Sequence, residues 1–381
     1  MLYEIHMIKN YPPTNLNRDE TGAPKTSMFG GVQRGRISSQ CLKRSWRTAA
    51  MFREAFGEEH LGIRTRQLPE RVTYELRRRG VQEDYLQELL PKLSAFGNKK
   101  GKENEEGNYT KQIVFYAPQD ITAVADAVEE ALKDCKDLKA VKALKGKELE
   151  SLKKLVTDVK ERPVTVDIAL FGRMVTSDAF ADVSAAMQVA HAISTNKVVM
   201  ESDFFTAMDD LLREETMEES GSGMMGDLDY DSSCYYLYAS LDTDALRDNL
   251  KYAENPDALV QKAIPALLRT MALTNPSGKQ NSFAGHVLPS AMLIECKQEK
   301  VPVSLVNAFV KPVQSNANGD LVKNSIASLV QEADQISRSF GLPVEKRLWF
   351  CAERYRDIAP ENSVQCKTFV ELVEQAEQAL K

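Results

Sequence analysis

TGAPKTSMFGGVQRGRISSQCLKRSWRTAAMFR, residues 21–53, is the stretch from which the rest of the chain can be read. It holds Lys25, Arg34, Arg36, Lys43, Arg44, Arg47 and Arg53, and not one Asp or Glu. The whole chain is acidic, with 55 Asp+Glu against 49 Lys+Arg. The stretch is therefore a localised positive field in a negative background, and the partner that suits such a field is a polyanion. Gly30-Gly31 permits a turn that residues with a Cβ resist. Val32 to Ile37 can then run extended. Ser38-Ser39 supplies an N-cap, a helix is predicted to about Phe56, and Gly57 stops it. On that helix Leu42, Trp46, Ala49, Arg53 and Phe56 form a mostly apolar stripe that should pack on a core. Gln40, Lys43, Arg44 and Arg47 fall on another face. Serine hydroxyls, free N–H groups at a helix start and cations one turn apart can hold phosphate. The same pattern also describes a solvated basic helix face.

Outward from this stretch, composition narrows the classes. A chain of 381 residues can bury one large core or two smaller ones. No run of about 18 apolar residues exists, so no membrane span is expected. The N-terminus, MLYEIHMIKNYPP, lacks a basic segment followed by an apolar one; it reads as an opening strand, and a cytoplasmic location is expected. Cys41, Cys135, Cys234, Cys296, Cys351 and Cys366 form no CxxC pair, which fits reduced thiols. His6, His60, His191 and His286 are isolated, so no metal or cofactor site is expected. His191 lies in an apolar run and is expected to be a packed core histidine.

In chain order, Leu2 to Ile8 reads as a strand and residues 10–26 as a loop carrying Arg18 and Lys25. Residues 57–164 form a helical insertion, with helical spacing over Leu68–Arg79, Gln82–Phe96, Ile121–Asp134 and Lys139–Lys160. Strands are predicted at Val164–Phe171, Ser184–Thr195, Cys234–Leu241, Val287–Cys296 and Arg347–Ala352. Helices are predicted at Ala258–Leu273, Ser304–Phe309, Ser325–Phe340 and Thr368–Leu380. Residues 196–233 contain little that could form a core. Their glycine-rich end, with Met224 and Met225, reads as a flexible loop or a partner surface. TNPSGKQNS (274–282) is a second basic loop, with Lys279 at its tip. The class is α+β, and the order outside the insertion contains the split βαβ arrangement of ferredoxin-like folds. Sheets of that type bind single-stranded RNA when aromatic or cationic groups decorate one face. The general aromatic RRM motif is absent.

Several ordered blocks resemble one family. NLNRD (15–19), FGG (29–31), RISSQCLKRSWR (36–47), DIALFGRM (167–174), AHAISTNKV (190–198) and GKQNSFA (278–284) are similar to the CasC family, the backbone subunit of the type I-E CRISPR surveillance complex Cascade. The resemblance implies an RRM/ferredoxin-like palm (1–56, 165–195 and 234–381), a helical fingers insertion (57–164) and an extended thumb (196–233). It implies that copies stack head to tail along a guide crRNA and that each thumb displaces a base at regular intervals. The guide is then presented to target DNA in the R-loop, beside other Cascade subunits. Carried over by position, Arg18, Lys25, Ser38, Gln40, Lys43, Arg44 and Arg47 would hold the RNA backbone. Met174 would pack against bases beside the kink, where an unbranched thioether suits variable shapes, or it is an ordinary core Met at a strand end. Lys279 would touch RNA or the target strand.

This reading is of a non-catalytic subunit. Related backbone subunits cleave target RNA with a thumb acid, and Asp209, Asp210, Asp227, Asp229 and Asp231 lie in the corresponding segment. Without a nearby His or Lys, such acids are more simply solvated. A nucleotide-binding enzyme built on Gly30-Gly31 would need GK followed by Ser or Thr, which is absent.

Overall fold

The computed structural model of the protein describes residues 1–97, 108–207, 224–315 and 320–380. The chain forms two compact units. One comprises Met1–Ala49, Val189–Ser240 and Ile264–Lys381; the other comprises Ala50–Gln188 and Leu241–Ala263.

The strands are β1 (Leu2–Asn10), β2 (Thr26–Phe29), β3 (Val32–Ile37), β4 (Ile63–Thr65), β5 (Val114–Tyr116), β6 (Met187–Val189), β7 (Ala192–Ser194), β8 (Met200–Ala207), β9 (Met224–Asp231), β10 (Cys234–Asp242), β11 (Ala291–Lys297), β12 (Lys346–Cys351) and β13 (Val364–Cys366). The helices of the first half are α1 (Ser39–Arg47), α2 (Ala50–Phe56), α3 (Leu68–Arg78), α4 (Glu83–Leu93), α5 (Pro118–Lys133), α6 (Leu138–Ala143), α7 (Gly146–Glu150), α8 (Lys153–Thr157) and α9 (Val166–Phe171). Those of the second half are α10 (Thr243–Asn249), α11 (Pro256–Leu273), α12 (Gln280–Phe283), α13 (Leu321–Phe340) and α14 (Phe369–Gln378). The protein is thus a mixed α+β structure.

The first unit is organised by a sheet in the order β13-β12-β11-β1-β10-β7-β3-β2. Its middle strand, β1, is buried from Leu2 to Lys9. β1 runs antiparallel to β11, with Glu4 opposite Glu295 and Ile8 opposite Ala291. One face carries Ile8, Tyr236, Tyr238, Leu293 and Trp349, packed with Ile326, Leu329 and Ala333 of α13. Each large side chain buried there contributes about 1.5–3 kcal/mol. Four charged groups on the buried strands are paired: Lys297 with Glu4 and Glu295, and Arg347 with Glu295 and with Asp334 of α13. The core of the second unit is helical and unites Leu68, Val72 and Leu76 of α3, Leu86, Leu89 and Leu93 of α4 and Val124 and Val128 of α5 with Phe96, Tyr116 and Phe180.

Several predicted elements differ. The single helix expected to Phe56 is two, because Thr48 ends α1: its N–H and its hydroxyl both donate to Arg44 O. The break changes the phase, so Phe52 is buried where Arg53 was expected, and Arg53 pairs with Glu58 instead. Residues 164–171 were expected to be a strand but form helix α9. Val166 to Leu170 are all buried, and a short run buried all round has no alternation to tell strand from helix. The helix closes on Gly172, at φ +81°. Ser184–Thr195 contains two short strands, β6 and β7, rather than one. Lys139–Lys160 is three short helices, α6 to α8. The arms of the segment read as coreless are a regular antiparallel ribbon, β8 on β9, from Met200 opposite Asp231 to Ala207 opposite Met224. No helix among the described residues is long and apolar enough to cross a membrane.

Candidate nucleic-acid interface

The basic stretch begins with a tight hairpin. Phe29 pairs with Val32, leaving Gly30-Gly31 as a two-residue loop with both φ angles positive, at +60° and +80°. Two-residue hairpin loops favour this conformation, which side chains resist. A Cβ on Gly30 would stand 1.8 Å from Val310 O, so only glycine fits. The pair therefore has a folding reason that involves no phosphate.

The cations of the stretch meet different fates. Arg34 is fully buried; its guanidinium donates to the carbonyls of Ser194 (3.0 Å), Thr195 (2.8 Å), Phe309 (2.8 Å) and Val310 (3.2 Å). It is an internal strut and leaves the exposed field. Arg36 donates to Thr26 O at 3.2 Å and lies 3.0 Å from His191 Nδ1. Arginine can only donate, so Nδ1 accepts and the proton of neutral His191 sits on Nε2. His191 is exposed, not the core histidine expected. Partial burial, then the charges of Arg36 and Lys25, lower its pKa. The buried histidine is His6, whose Nδ1 lies 2.8 Å from Tyr236 Oη; burial lowers its pKa to about 4.

The NLNRD segment serves as a bracket. Asn15 Nδ2 donates to Gly22 O (2.9 Å) and Asp229 O (2.8 Å). Asn17 Oδ1 accepts from Ser38 N (2.9 Å), and Asn17 O accepts from Lys25 N (2.8 Å). Asp19 accepts from the hydroxyl and N–H of Thr21 and from Ala23 N. These bonds, the Thr21 hydroxyl foremost, lower its pKa. The outcome is a shallow open depression lined by Arg18, Asp19, Glu20, Thr21 and Lys25. Two acids share it with the two cations.

Helix α1 starts beside this bracket. Ser38 is buried and its Oγ accepts from Cys41 N at 3.3 Å, so its local role is to cap the helix. Leu42 and Trp46 are buried; Gln40 and Arg44 are exposed; Lys43 and Arg47 are half-buried. Partial burial lowers the Lys43 pKa. Lys43 and Arg44 make no ion pair with a described residue. The first turn of α1 contains no acid, and its last turn carries Arg44 and Arg47.

The later basic loop docks on the same bracket. Asn275 Oδ1 accepts from Tyr11 Oη (2.8 Å) and Lys9 Nζ (3.4 Å). Burial pushes the Lys9 ammonium down to about 7. A Cβ on Gly278 would stand 2.3 Å from Leu16 O, and one on Gly285 would stand 2.2 Å from Thr14 Cγ2. The half-exposed Lys279 is adjacent to the first of these contacts, and Arg18 is two residues beyond Leu16.

Arg18, Lys25, Ser38, Gln40, Lys43, Arg44, Arg47 and Lys279 all belong to the first unit. Met174 belongs to the second. It is 92% exposed and follows a helix, so it is not a core Met at a strand end. The foot of the β8–β9 ribbon is joined to the bracket by the Thr14–Asp231 bridge. Phe204, Phe205 and Met225 are exposed on the ribbon. Asp227 pairs across the ribbon with Phe204 and Asp229 with Ser202. Asp231 is buried, accepts from Tyr235 Oη at 3.1 Å, and is raised in pKa by burial. Asp209 and Asp210 lie outside the described residues, as does the Met224 side chain. No group of three or more His, Cys, Asp or Glu able to hold a metal occurs among the described residues. His191, beside Arg36 and Lys25, is the member of the cluster that sequence reasoning misassigned. Its apolar neighbours Ala190 and Ala192 hid it, and no local signal marked its exposure.

Comparison with known proteins places this geometry. No curated protein matches the chain. A solved chain of a "CRISPR RNA-guided surveillance complex, pre-nicking" is similar at TM-score 0.82 and 26% identity, with 100% of both chains covered. A chain of a second "CRISPR RNA-guided surveillance complex" shares the fold at TM-score 0.61 and 22% identity, again over 100% of both chains. Residues 3–375 match the family described as CT1975-like protein. With nearly the whole length matched, the chain belongs to the CT1975-like protein family.

Proposed function

We propose that this protein is the non-catalytic backbone subunit of a type I-E Cascade, a CasC-type protein that polymerises along crRNA and presents it to target DNA in an R-loop. The observation that carries the reading is the acid-free basic face of α1, set against Lys25, Arg36 and the Arg18 bracket. Lys43 and Arg44 have no carboxylate partner among the described residues, which suits ribose-phosphate, and a subunit that serves any spacer must leave the base edges free. Similarity to a chain of an RNA-guided surveillance complex supports it. The order β11-β1-β10-β7 is that of a split βαβ sheet, last, first, third, second, which supports an RRM-like palm. Residues 57–164 serve as fingers and 196–233 as a thumb. Met174 packs against bases beside each kink. Its partners are crRNA, target DNA, further copies of itself and other Cascade subunits, in the cytoplasm. It needs no cofactor.

The test is Lys43, Arg44 and Arg47 changed together to Ala. RNA binding weakens for every spacer sequence, and the slope of log affinity against log salt flattens by about 2, near 0.7 per lost cation on a single strand. Unchanged binding, or loss confined to one spacer, refutes the assignment. Incubating the assembled complex with complementary RNA and Mg²⁺ leaves the RNA intact; specific cuts abolished by Asp227→Ala or Asp229→Ala would instead establish a ribonuclease.

A further inference from the structure

Met174 and Arg173 are neighbours with opposite surroundings. The Met174 side chain stands in solvent, while the Arg173 side chain is 2% exposed. The backbone beneath this exposed thioether is held in place. The loop on which it sits is tied down at each step. Arg173 and Val183 exchange backbone hydrogen bonds at 2.9 and 2.8 Å. Val175 N donates to Asp182 Oδ1 at 2.7 Å, and Thr176 Oγ1 donates to Gly97 O at 3.0 Å. Phe180 is inserted in the helical core against Tyr116 and Phe96.

The anchor beneath is one buried carboxylate between two buried guanidinium groups. Asp120 accepts from Arg173 through Oδ2, from Arg162 through Oδ1 at 3.1 Å, and from Ala117 N at 2.9 Å at the start of α5. Arg173 also donates to Ala181 O (2.9 Å) and Phe115 O (3.2 Å), and Arg162 donates to Ala179 O (2.9 Å). Both ends of the Met174 loop are thus bound to one charge cluster. A planar fork making several bonds fixes direction as well as distance, which a single flexible ammonium does not.

We propose that Asp120, Arg162, Arg173 and Asp182 are positioning residues that fix the loop presenting Met174 for contact with a base of the guide. The proposal rests on the reading of Met174 as a base contact. A side chain carried on a backbone that is fixed before RNA arrives loses less conformational freedom on contact. The cluster therefore governs the local pose of the base and leaves the grip on the backbone alone.

The experiment uses the full-length protein on guide RNAs carrying 2-aminopurine, walked along the spacer one position at a time. The intact protein gives fluorescence maxima at a regular interval. Met174→Ala lowers those maxima by about threefold, the scale of one thioether–ring contact. Arg173→Lys and Asp182→Ala do the same at the same positions, add nothing when combined with Met174→Ala, and leave total RNA affinity within about twofold. Asp182 is exposed, so its variant probes the pose without endangering the fold. Maxima that fall in Met174→Ala but persist in Arg173→Lys and Asp182→Ala would overturn the positioning role and leave the Met174 contact standing. Additive losses would do the same. An unaltered pattern in Met174→Ala on fully bound RNA would remove both.

Discussion

Helices α1 and α3 are both rich in cations, and they make opposite use of them. α3 ends in consecutive arginines, and each finds acids. Arg77 pairs with Glu83, Arg78 with Glu75, and Arg79 with Glu75, Asp126 and Glu129. α1 offers Lys43 and Arg44 with no described carboxylate beside them. The number of cations on a helix therefore says little about the field it projects. What matters is whether acids lie within one turn or on the next packed helix. Exposed pairs like those of α3 add little stability and cancel the charge that a polyanion would see.

Changes at four positions test that contrast. The largest effect is expected at Arg34, the cation of the basic stretch that resembles neither helix. Arg34→Ala removes the guanidinium from the carbonyls of Ser194, Thr195, Phe309 and Val310, of which Thr195 O keeps its bond from Val313 N, and opens a cavity. We expect a loss of about 3 kcal/mol in urea unfolding of the protein. RNA affinity measured on the fraction that remains folded stays near the original. If RNA binding is lost with stability intact, Arg34 belongs to the interface after all.

Next comes Arg44→Glu, which writes the mixed-charge pattern of α3 onto α1. Guide-RNA affinity falls by about tenfold at low salt, and the difference shrinks as salt rises. Arg78→Ala on α3, the matched control, changes affinity by less than about twofold, as expected for an exposed cation already paired. Equal effects at the two positions would erase the distinction between the helices.

The smallest effect concerns His191. Its pKa in the free protein lies below the ordinary value of 6.5, owing to partial burial and then to Arg36 and Lys25. The unfolded chain therefore binds the proton more readily, and stability contributed by this group is present above pH 6.5 and lost as pH falls below it. A phosphate beside Arg36 and Lys25 offsets their charge and raises the His191 pKa, so RNA binding takes up a proton. Affinity should then rise by about two- to threefold on going from pH 7.5 to pH 5.5, and His191→Gln should abolish the change. A titration with the same slope in both proteins would show that no phosphate lies near the imidazole.

Much of the candidate site was legible because its signals are local. The Gly30-Gly31 turn, the Ser38 cap and the acid-free run of cations on α1 each depend on residues within a few positions of one another, and each was found where the sequence indicated. The failures share a different cause. Val166–Leu170 is buried throughout, Asp167 included, so neither period could be recognised in it. Thr48 looks like an ordinary helical residue until its hydroxyl competes for Arg44 O. His191 was assigned to the core from apolar neighbours, though it lies in the break between β6 and β7 and is exposed there.

By itself, then, the amino-acid order determined where positive charge gathers, which residues turn or cap the backbone, and which helix face is apolar. These follow from covalent geometry and from spacing along one turn. Only the folded chain decided which cations remain available. Arg34 is consumed by carbonyls 160 and 275 residues away, and Arg173 by a carboxylate 53 residues away. Desolvation and pairing are set by what packing brings close, and that information is spread over the whole chain rather than written beside either residue.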